Sequence, residues 1–299
     1  MSRQEKICLL GKGNSTKSKK ACLKLKNHLA KTYNVEICLS QYPEHHIQLA
    51  KEQAIDCDHL IAVGGDGTIN EIVNGLMTIS HEHRPLLAIF PAGSANDFAW
   101  FQKIPSNIDA WVDYFNLKNI HKIDVGSIQF KDKTRYFLNI AEYGFGPEVL
   151  NTLNETSRII PTGFAFLRAI AIKLFKYRKK KVKITSDQWN YTGISLVGAF
   201  ANSGSFGRGI VISPDAKIDD GILNISHIGN IGMLEYVKYI IPLKKGKKIN
   251  IPEVVYTACK TATVTSNENV LVECDGEVVG ELPAKFSIIE NCLSIILPN

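Results

Sequence analysis

The chain of 299 residues holds seven cysteines, Cys8, Cys22, Cys38, Cys57, Cys259, Cys274 and Cys292, and no C-x-x-C pair among them. An odd count without paired spacing speaks against a disulfide framework and against a cysteine zinc site; reduced thiols in a cytoplasmic protein are the simplest account. No apolar run reaches the ~20 residues that a membrane-spanning helix needs. The longest, over 159–175, is interrupted by Arg168 and Lys173 and broken at its start by Pro161 and Gly163. The first ten residues carry too short an apolar run for a signal peptide. Neither His45-His46 nor His81-Glu82-His83 has the H-E-x-x-H spacing of a zinc helix, so these histidines are expected on surface loops. There is no internal repeat, no low-complexity linker, and no aromatic-rich basic stretch of the kind that binds nucleic acid.

What is present fits an ordinary globular protein. Hydrophobic residues make up 45% and charged residues 21%, enough apolar material for two cores. The net charge of +6 is gathered in short runs at 17–20, 178–183 and 244–248. Such runs are either solvated loops or faces turned to phosphates, anionic lipid or nucleic acid, and charge alone does not separate these.

Residues 1–124 alternate short apolar runs with helical patterns. Strands are expected at 7–10, 35–39, 59–63 and 86–90, and helices at 19–33, 47–54 and 69–79. Repeated strand–helix units predict a parallel, doubly wound α/β sheet. After Asp124 the pattern turns to short strands with Gly and Asp turns, at 125–129, 136–141, 181–185, 193–201, 223–227, 261–265, 270–274 and 285–289. Helices at 164–177 and 233–241 interrupt them. This predicts a β-sandwich domain over 125–299, with the option that the final strand returns to the first domain.

The most informative stretch is 62–77, AVGGDGTINEIVNGLM. A strand enters Gly64-Gly65-Asp66-Gly67 and a helix leaves it, with apolar residues at Ile69, Ile72, Val73, Leu76 and Met77. Thr68 and Glu71 have capping-box spacing, which predicts a helix start at Thr68. Glycines ahead of a helix N-terminus let backbone N–H groups approach phosphate closely. Asp66 beside phosphate would need a cation between them, so it is a candidate for positioning magnesium. A second strand, 86–90, runs into PAGSANDFA, where Ser94 and Asp97 have S-x-x-D cap spacing. Two such loops at neighbouring strand ends would face one crevice.

Together these residues resemble the diacylglycerol kinase catalytic family, the bacterial lipid kinases related to sphingosine and ceramide kinases. GGDGTINEIVNGL looks like that family's nucleotide signature, and PAGSANDFA is similar to its second motif. Tyr143-Gly144-Phe145-Gly146, the turn from Ala201-Asn202-Ser203 to Gly207-Arg208-Gly209, PDAKIDDG at 214–221 and Asp275-Gly276-Glu277 look like its later motifs, in order. The family's N-P-x-S-G loop is replaced by Gly11-Lys12-Gly13-Asn14-Ser15, which leaves its contact with nucleotide open.

The resemblance implies ATP lying across Gly64, Gly65, Asp66, Gly67, Thr68, Ile69 and Asn70, with Ser40 and Ser94 contributing. It implies Asp66 and Asp97 beside the phosphates and Mg2+, and Glu277 as the base that takes the lipid hydroxyl proton. It also implies a structural Mg2+ on Asp220 and the backbone carbonyls of Lys217 and Ile222. From spacing alone, Asp275-Gly276 reads as a hairpin turn, which can itself present Glu277. The implied acceptor is a diacylglycerol-like lipid at a membrane surface, reached by a cytoplasmic, peripherally associating protein. Phe164, Phe166, Leu167, Ile170, Leu174 and Phe175, beside Arg168, Lys173, Lys176 and the 178–181 run, fit either an interfacial helix or a helix covering the sandwich core. A kinase acting on NAD, and a retired kinase scaffold, are the alternatives. A homodimer is one option for the assembly.

Overall fold

A computed structural model describes residues 3–156, 162–207 and 209–298, without the side chains of 154–156 and 162–167. The side chains of Phe164, Phe166 and Leu167, and the whole of Arg208, thus lie outside what is described. The chain divides into two compact units, residues 1–125 with 290–299, and residues 126–289.

The first unit contains β1 (Lys6–Lys12), α1 (Thr16–Leu29), β2 (Asn34–Ser40), α2 (His45–Gln53), β3 (His59–Gly64), α3 (Asp66–Leu76), β4 (Leu86–Pro91), α4 (Asp97–Phe101), α5 (Ile108–Asn116) and the start of β5 (Ile120–Gln129). Its sheet runs β2-β1-β3-β4 and is completed by the end of the last strand, where Ile295 pairs with Leu87. All these pairings are parallel. The reason is legible in burial. β3 is buried along its whole length and β1 at five consecutive residues, as expected of strands covered on both faces. Helix α1 packs with α5, and α2 with α3. The chain goes from β1 to β2 on one side and to β3 on the other, so β1/β3 is a topological switch point.

The second unit continues through β6 (Thr134–Phe137), β7 (Ile140–Gly144), α6 (Phe145–Thr156), α7 (Thr162–Lys176), β8 (Lys180–Ser186), β9 (Asn190–Ser195), β10 (Val197–Ala201), β11 (Ser205–Phe206) and β12 (Ile210–Val211). It closes with β13 (Leu223–Ile228), α8 (Met233–Lys244), β14 (Val254–Cys259), β15 (Thr261–Thr265), β16 (Leu271–Cys274), β17 (Glu277–Glu281) and β18 (Ala284–Ile296). One sheet runs β18-β15-β8-β9, with β5 beside β18 and β6 beside β5; the other runs β14-β13-β10-β7-β16-β17. Strands β8 and β15 alternate buried and exposed, the signature of a sheet with one wet face. Phe137, Tyr143, Phe200 and Phe286 lie in the core shared by strands of both sheets, and the Phe200 and Phe286 rings stack at 4.1 Å. A second core gathers Phe145, Val149, Ala169, Tyr236 and Leu243 from α6, α7 and α8 against β7 and β10.

Two expected strands are each two strands in different sheets. The run 193–201 divides at Leu196, whose N–H donates to Ile228 and whose carbonyl accepts from Phe145, so β9 pairs with β8 while β10 pairs with β7 and β13. The run 136–141 divides at Leu138–Asn139 in the same way. A chain that crosses between the sheets of a sandwich keeps its apolar periodicity, so sequence does not mark the corner. Helices α5 and α6 and strand β14 have no counterpart among the expected elements. Helix α6 opens on Phe145-Gly146-Pro147, where proline is tolerated because it lies in the first helical turn.

Candidate active site

The C-terminal ends of the parallel strands lie along one edge of the first unit. Lys12 is the register partner of Ser40, and Gly64 of Pro91. This places Ser40, the 64–70 loop and the 91–97 loop on that edge. Ser40 is buried, and its carbonyl accepts from the Gly13 N–H at 3.1 Å.

The two glycine loops touch. A Cβ on Gly93 would lie 2.3 Å from the Gly65 Cα, so neither loop accepts a side chain there. The Ala92 N–H donates to the Gly64 carbonyl at 2.8 Å, and the Phe98 N–H donates to Asp66 Oδ1 at 3.2 Å. Asp66 therefore ties the first loop to the start of α4. Lys17 Nζ donates to the Gly93 carbonyl at 2.9 Å and sets a positive charge beside both loops.

Helix α3 starts at Asp66, two residues before the start expected at Thr68, and Gly65 is its N-cap without a side-chain hydrogen bond. The capping box does not form. The Glu71 carboxylate is drawn away by His46, whose Nδ1 lies 2.8 Å from Glu71 Oε2, and by the Glu44 and His46 N–H groups. Burial would raise the Glu71 carboxyl, but the bond to His46, its charge and these N–H groups outweigh it and hold the pKa below the ordinary value. His46 is buried, not on a surface loop, and its Nε2 lies 3.2 Å from the Gly11 carbonyl. His59 and His227 are buried as well.

The first-turn N–H groups of α3 have no intrahelical acceptors and face the strand-end edge together with the helix dipole. Ile69 points into the core, and Asn70 is fully buried, accepting from Asn74 Nδ2 at 3.0 Å on its side-chain oxygen. These two residues can meet a ligand at most through backbone. Asp97 is buried and opens α4, whereas Ser94 is exposed; the cap of that five-residue helix is Asn96, in the left-handed region at φ 57°, not Ser94. Asn96 Oδ1 accepts from the Gly93 N–H at 2.8 Å and braces the loop. An open cleft of about 730 Å³ between α1 and the start of α5 is lined by Lys17, Lys20, Lys24 and Asp109 and reaches Pro91 and Ala92 of the second loop, but no residue of the 64–70 loop.

Glu277 belongs to the second unit. Asp275 and Gly276 form a two-residue hairpin turn between β16 and β17, both at positive φ (48° and 88°), and Glu277 is the first residue after it. The turn is clamped. Asp275 Oδ1 accepts from the Asn139 and Ile140 N–H groups at 3.0 and 3.1 Å, and Oδ2 from Leu138 at 3.0 Å. Asn202 and Ser203 in turn donate their N–H groups to the Asn139 carbonyl at 3.0 and 2.9 Å. The D-G-E segment, the β6–β7 link and the Asn202–Ser203 turn thus form one polar network. Glu277 Oε2 lies 3.5 Å from an Arg135 guanidinium nitrogen, with its side chain about a third exposed.

Beneath this turn lies a feature without a sequence signal. Glu142 on β7 and Glu273 on β16 are register partners, and both are buried. Glu142 Oε1 accepts from the Gly146 N–H at 2.9 Å, and Glu273 Oε2 from the Gly276 N–H at 2.9 Å. Burial pushes the Glu142 carboxyl up to about 8. Burial, and then the Glu142 charge, pushes Glu273 well above the carboxylate range.

Asp220 is exposed in a tight turn, where its Oδ1 accepts from the Ile222 N–H at 3.2 Å. Carboxylate and backbone carbonyl oxygens are the donors that suit a hard cation. Among the described residues, no group of three or more His, Cys, Asp or Glu side chains could hold a metal. No helix among them is long and apolar enough to cross a membrane.

Residues 9–128 match the family model of the diacylglycerol kinase catalytic domain, and residues 141–297 that of the YegS C-terminal NAD kinase beta sandwich-like domain. A diacylglycerol kinase from Staphylococcus haemolyticus is 30% identical over 252 residues, 84% of this chain and 74% of the relative. One from Staphylococcus epidermidis is 29% identical over 249 residues, 83% of this chain and 77% of the relative. In fold, the chain is similar to a diacylglycerol kinase structure from Bacillus anthracis, at a TM-score of 0.75 and 21% identity over 100% of this chain and 98% of that one. A second structure from the same organism gives 0.82 at 24% identity, over 100% and 99%. With both parts of the chain matched in order, it belongs to the diacylglycerol kinase family of lipid kinases.

Proposed function

We propose that this kinase takes the γ-phosphoryl group of ATP, as its magnesium complex, and places it on the hydroxyl of a diacylglycerol-like lipid drawn from a membrane surface. The reading is carried by one observation above all: two glycine loops in backbone contact at the strand-end edge, one of them opening α3. Backbone N–H groups of Gly64, Gly65, Gly67 and Thr68 would cradle the phosphates, with Ser40 and Ser94 at the margins. Asp66 and Asp97 would hold magnesium, which when bound neutralises charge on the transferred group. The lipid oxygen would form its bond to the γ-phosphorus as the bond to the β–γ bridging oxygen breaks. Glu277 would receive the hydroxyl proton, and ADP would leave with the bridging oxygen. A second, structural magnesium is assigned to Asp220 with the carbonyls of Lys217 and Ile222.

The test offers radiolabelled ATP and magnesium with diacylglycerol in mixed micelles, a panel of other lipid alcohols, and NAD in parallel. Label is expected in a phosphatidic-acid-like product. Asp66→Ala should lose turnover through magnesium-nucleotide binding. Glu277→Gln should lose roughly 100-fold or more in kcat while ATP still binds. Label appearing in NADP alone would overturn the acceptor, and full activity of Glu277→Gln would remove it as the base.

A further inference from the structure

The outward side of α8 is apolar where a surface helix is ordinarily polar. Leu234 and Ile241 are 72% and 66% exposed, and Val237 is 36% exposed. Their spacing of i, i+3, i+7 puts them on one face. Tyr236 and Leu243, on the opposite face, are buried in the core beneath. The helix therefore carries an apolar stripe on its solvent side as well as an apolar face toward the core. Helix α7 packs on α8, and Phe175, its next-to-last residue, is 85% exposed.

Charge is distributed around this stripe. The basic run 244–248 follows directly from the C-terminal end of α8, and Lys244, Lys245 and Lys247 are exposed. From the other run, 178–183, Lys179 is held at the N-terminal end. Lys179 Nζ donates to the Asn230 side chain and, at 3.1 Å, to the Ile231 carbonyl, next to the Gly232 cap. Lys238 stands exposed on the helix itself, and Glu235 is its only acidic residue. The 244–248 run and Lys179 thus stand at the two ends of one apolar stripe about 10 Å long.

We propose that this face of α8, with Phe175, is the surface by which the protein docks on an anionic lipid bilayer. The proposal rests on the lipid-kinase reading above, which requires the enzyme to collect its acceptor from a membrane. A bilayer supplies what the face demands: acyl boundary for Leu234, Val237, Ile241 and Phe175, and negative headgroups for the lysines at the two ends of the stripe. A second copy of the chain does not. A two-fold contact through α8 sets basic end against basic end in either orientation.

The full-length protein is co-sedimented with vesicles of phosphatidylcholine alone and of phosphatidylcholine with phosphatidylglycerol, without diacylglycerol or ATP. It is expected to partition onto the anionic vesicles only, and less at high salt. The double variant Leu234→Glu/Ile241→Glu should bind roughly 10-fold less or weaker still. Lys244→Glu/Lys245→Glu should lose the preference for anionic lipid. Ile55→Glu, at an equally exposed apolar residue of the first unit, should change nothing. Thermal unfolding reports that each variant is folded, and Leu234→Ser/Phe175→Ser replaces the first pair if it is not. No partition of the wild type onto anionic vesicles, or full partition of the folded double variant, overturns the proposal. So does self-association, seen by sedimentation velocity, that the double variant abolishes. Turnover on a monomeric short-chain diacylglycerol separates the two readings. The α8 variants should keep it, whereas failure of the kinase reading removes it and leaves vesicle binding intact.

Discussion

Glu142 and Glu273 show how a residue's chemistry is set by what is stacked opposite it. Two carboxyls directly across an antiparallel pair, both out of water, cannot both ionise at modest cost. An unfolded chain releases such protons near pH 4.3, whereas folded Glu142 keeps its proton up to about 8. Between those values the unfolded state binds fewer protons, so stability falls as pH rises and levels off above the folded value. The groups facing the pair are Tyr177 and Tyr236 from α7's end and α8, with Asp275 and Glu277 on the turn. Glu142→Gln should therefore flatten the loss, gaining about 1–3 kcal/mol relative to wild type between pH 5 and pH 8. Urea unfolding at the two pH values measures it, and an unchanged pH dependence would sink the account. His46 teaches the same lesson from the opposite direction. A histidine with no motif around it becomes a buried brace between α2, α3 and the end of β1.

At the scale of elements, contact between two loops matters more than either loop. The glycines before α3 could be read from sequence as a phosphate-binding loop. That Gly65 needs Gly93 opposite it could not, because the pair is 28 residues apart in sequence and meets only when β3 and β4 pair. Adding a methyl group at Gly93 meets backbone, not a flexible side chain, so one loop must shift. Gly93→Ala should weaken ATP binding by about 10-fold or more while costing about 1–3 kcal/mol of stability. Calorimetric titration with the nucleotide checks this; wild-type affinity would mean that the loops do not act together. The Asp275-Gly276 turn was legible, since D-G between two apolar runs is a strong hairpin signal. Its clamp on Leu138, Asn139 and Ile140 was not, being a contact between residues about 135 positions apart.

For the whole molecule, the chain folds as two units, and the final strand begins in one and ends in the other. Tolerance to loss of metal belongs at this scale. If Asp220 and the carbonyls of Lys217 and Ile222 hold magnesium, then chelation should lower the thermal midpoint of the wild type, by about 2–4 °C per kcal/mol for a chain of this size. Asp220→Ala should start from the lower midpoint and respond no further to chelator. Equal responses of both proteins to chelator would remove the site.

The sequence by itself determined the α/β first half, the strand-rich second half, the glycine loop before α3 and the D-G turn. Each of these rests on local rules: apolar periodicity, glycine's access to positive φ, and the N–H groups that a helix start leaves open. Only the tertiary structure decided that Glu71 pairs with His46 rather than capping α3. It alone split two strand-like runs between sheets and set two carboxyls face to face. It also brought Lys179 to the end of α8 opposite the 244–248 run. Those outcomes depend on which partners pairing and burial bring within reach. A competing acceptor or an opposing charge from far along the chain outweighs the local preference once water is excluded.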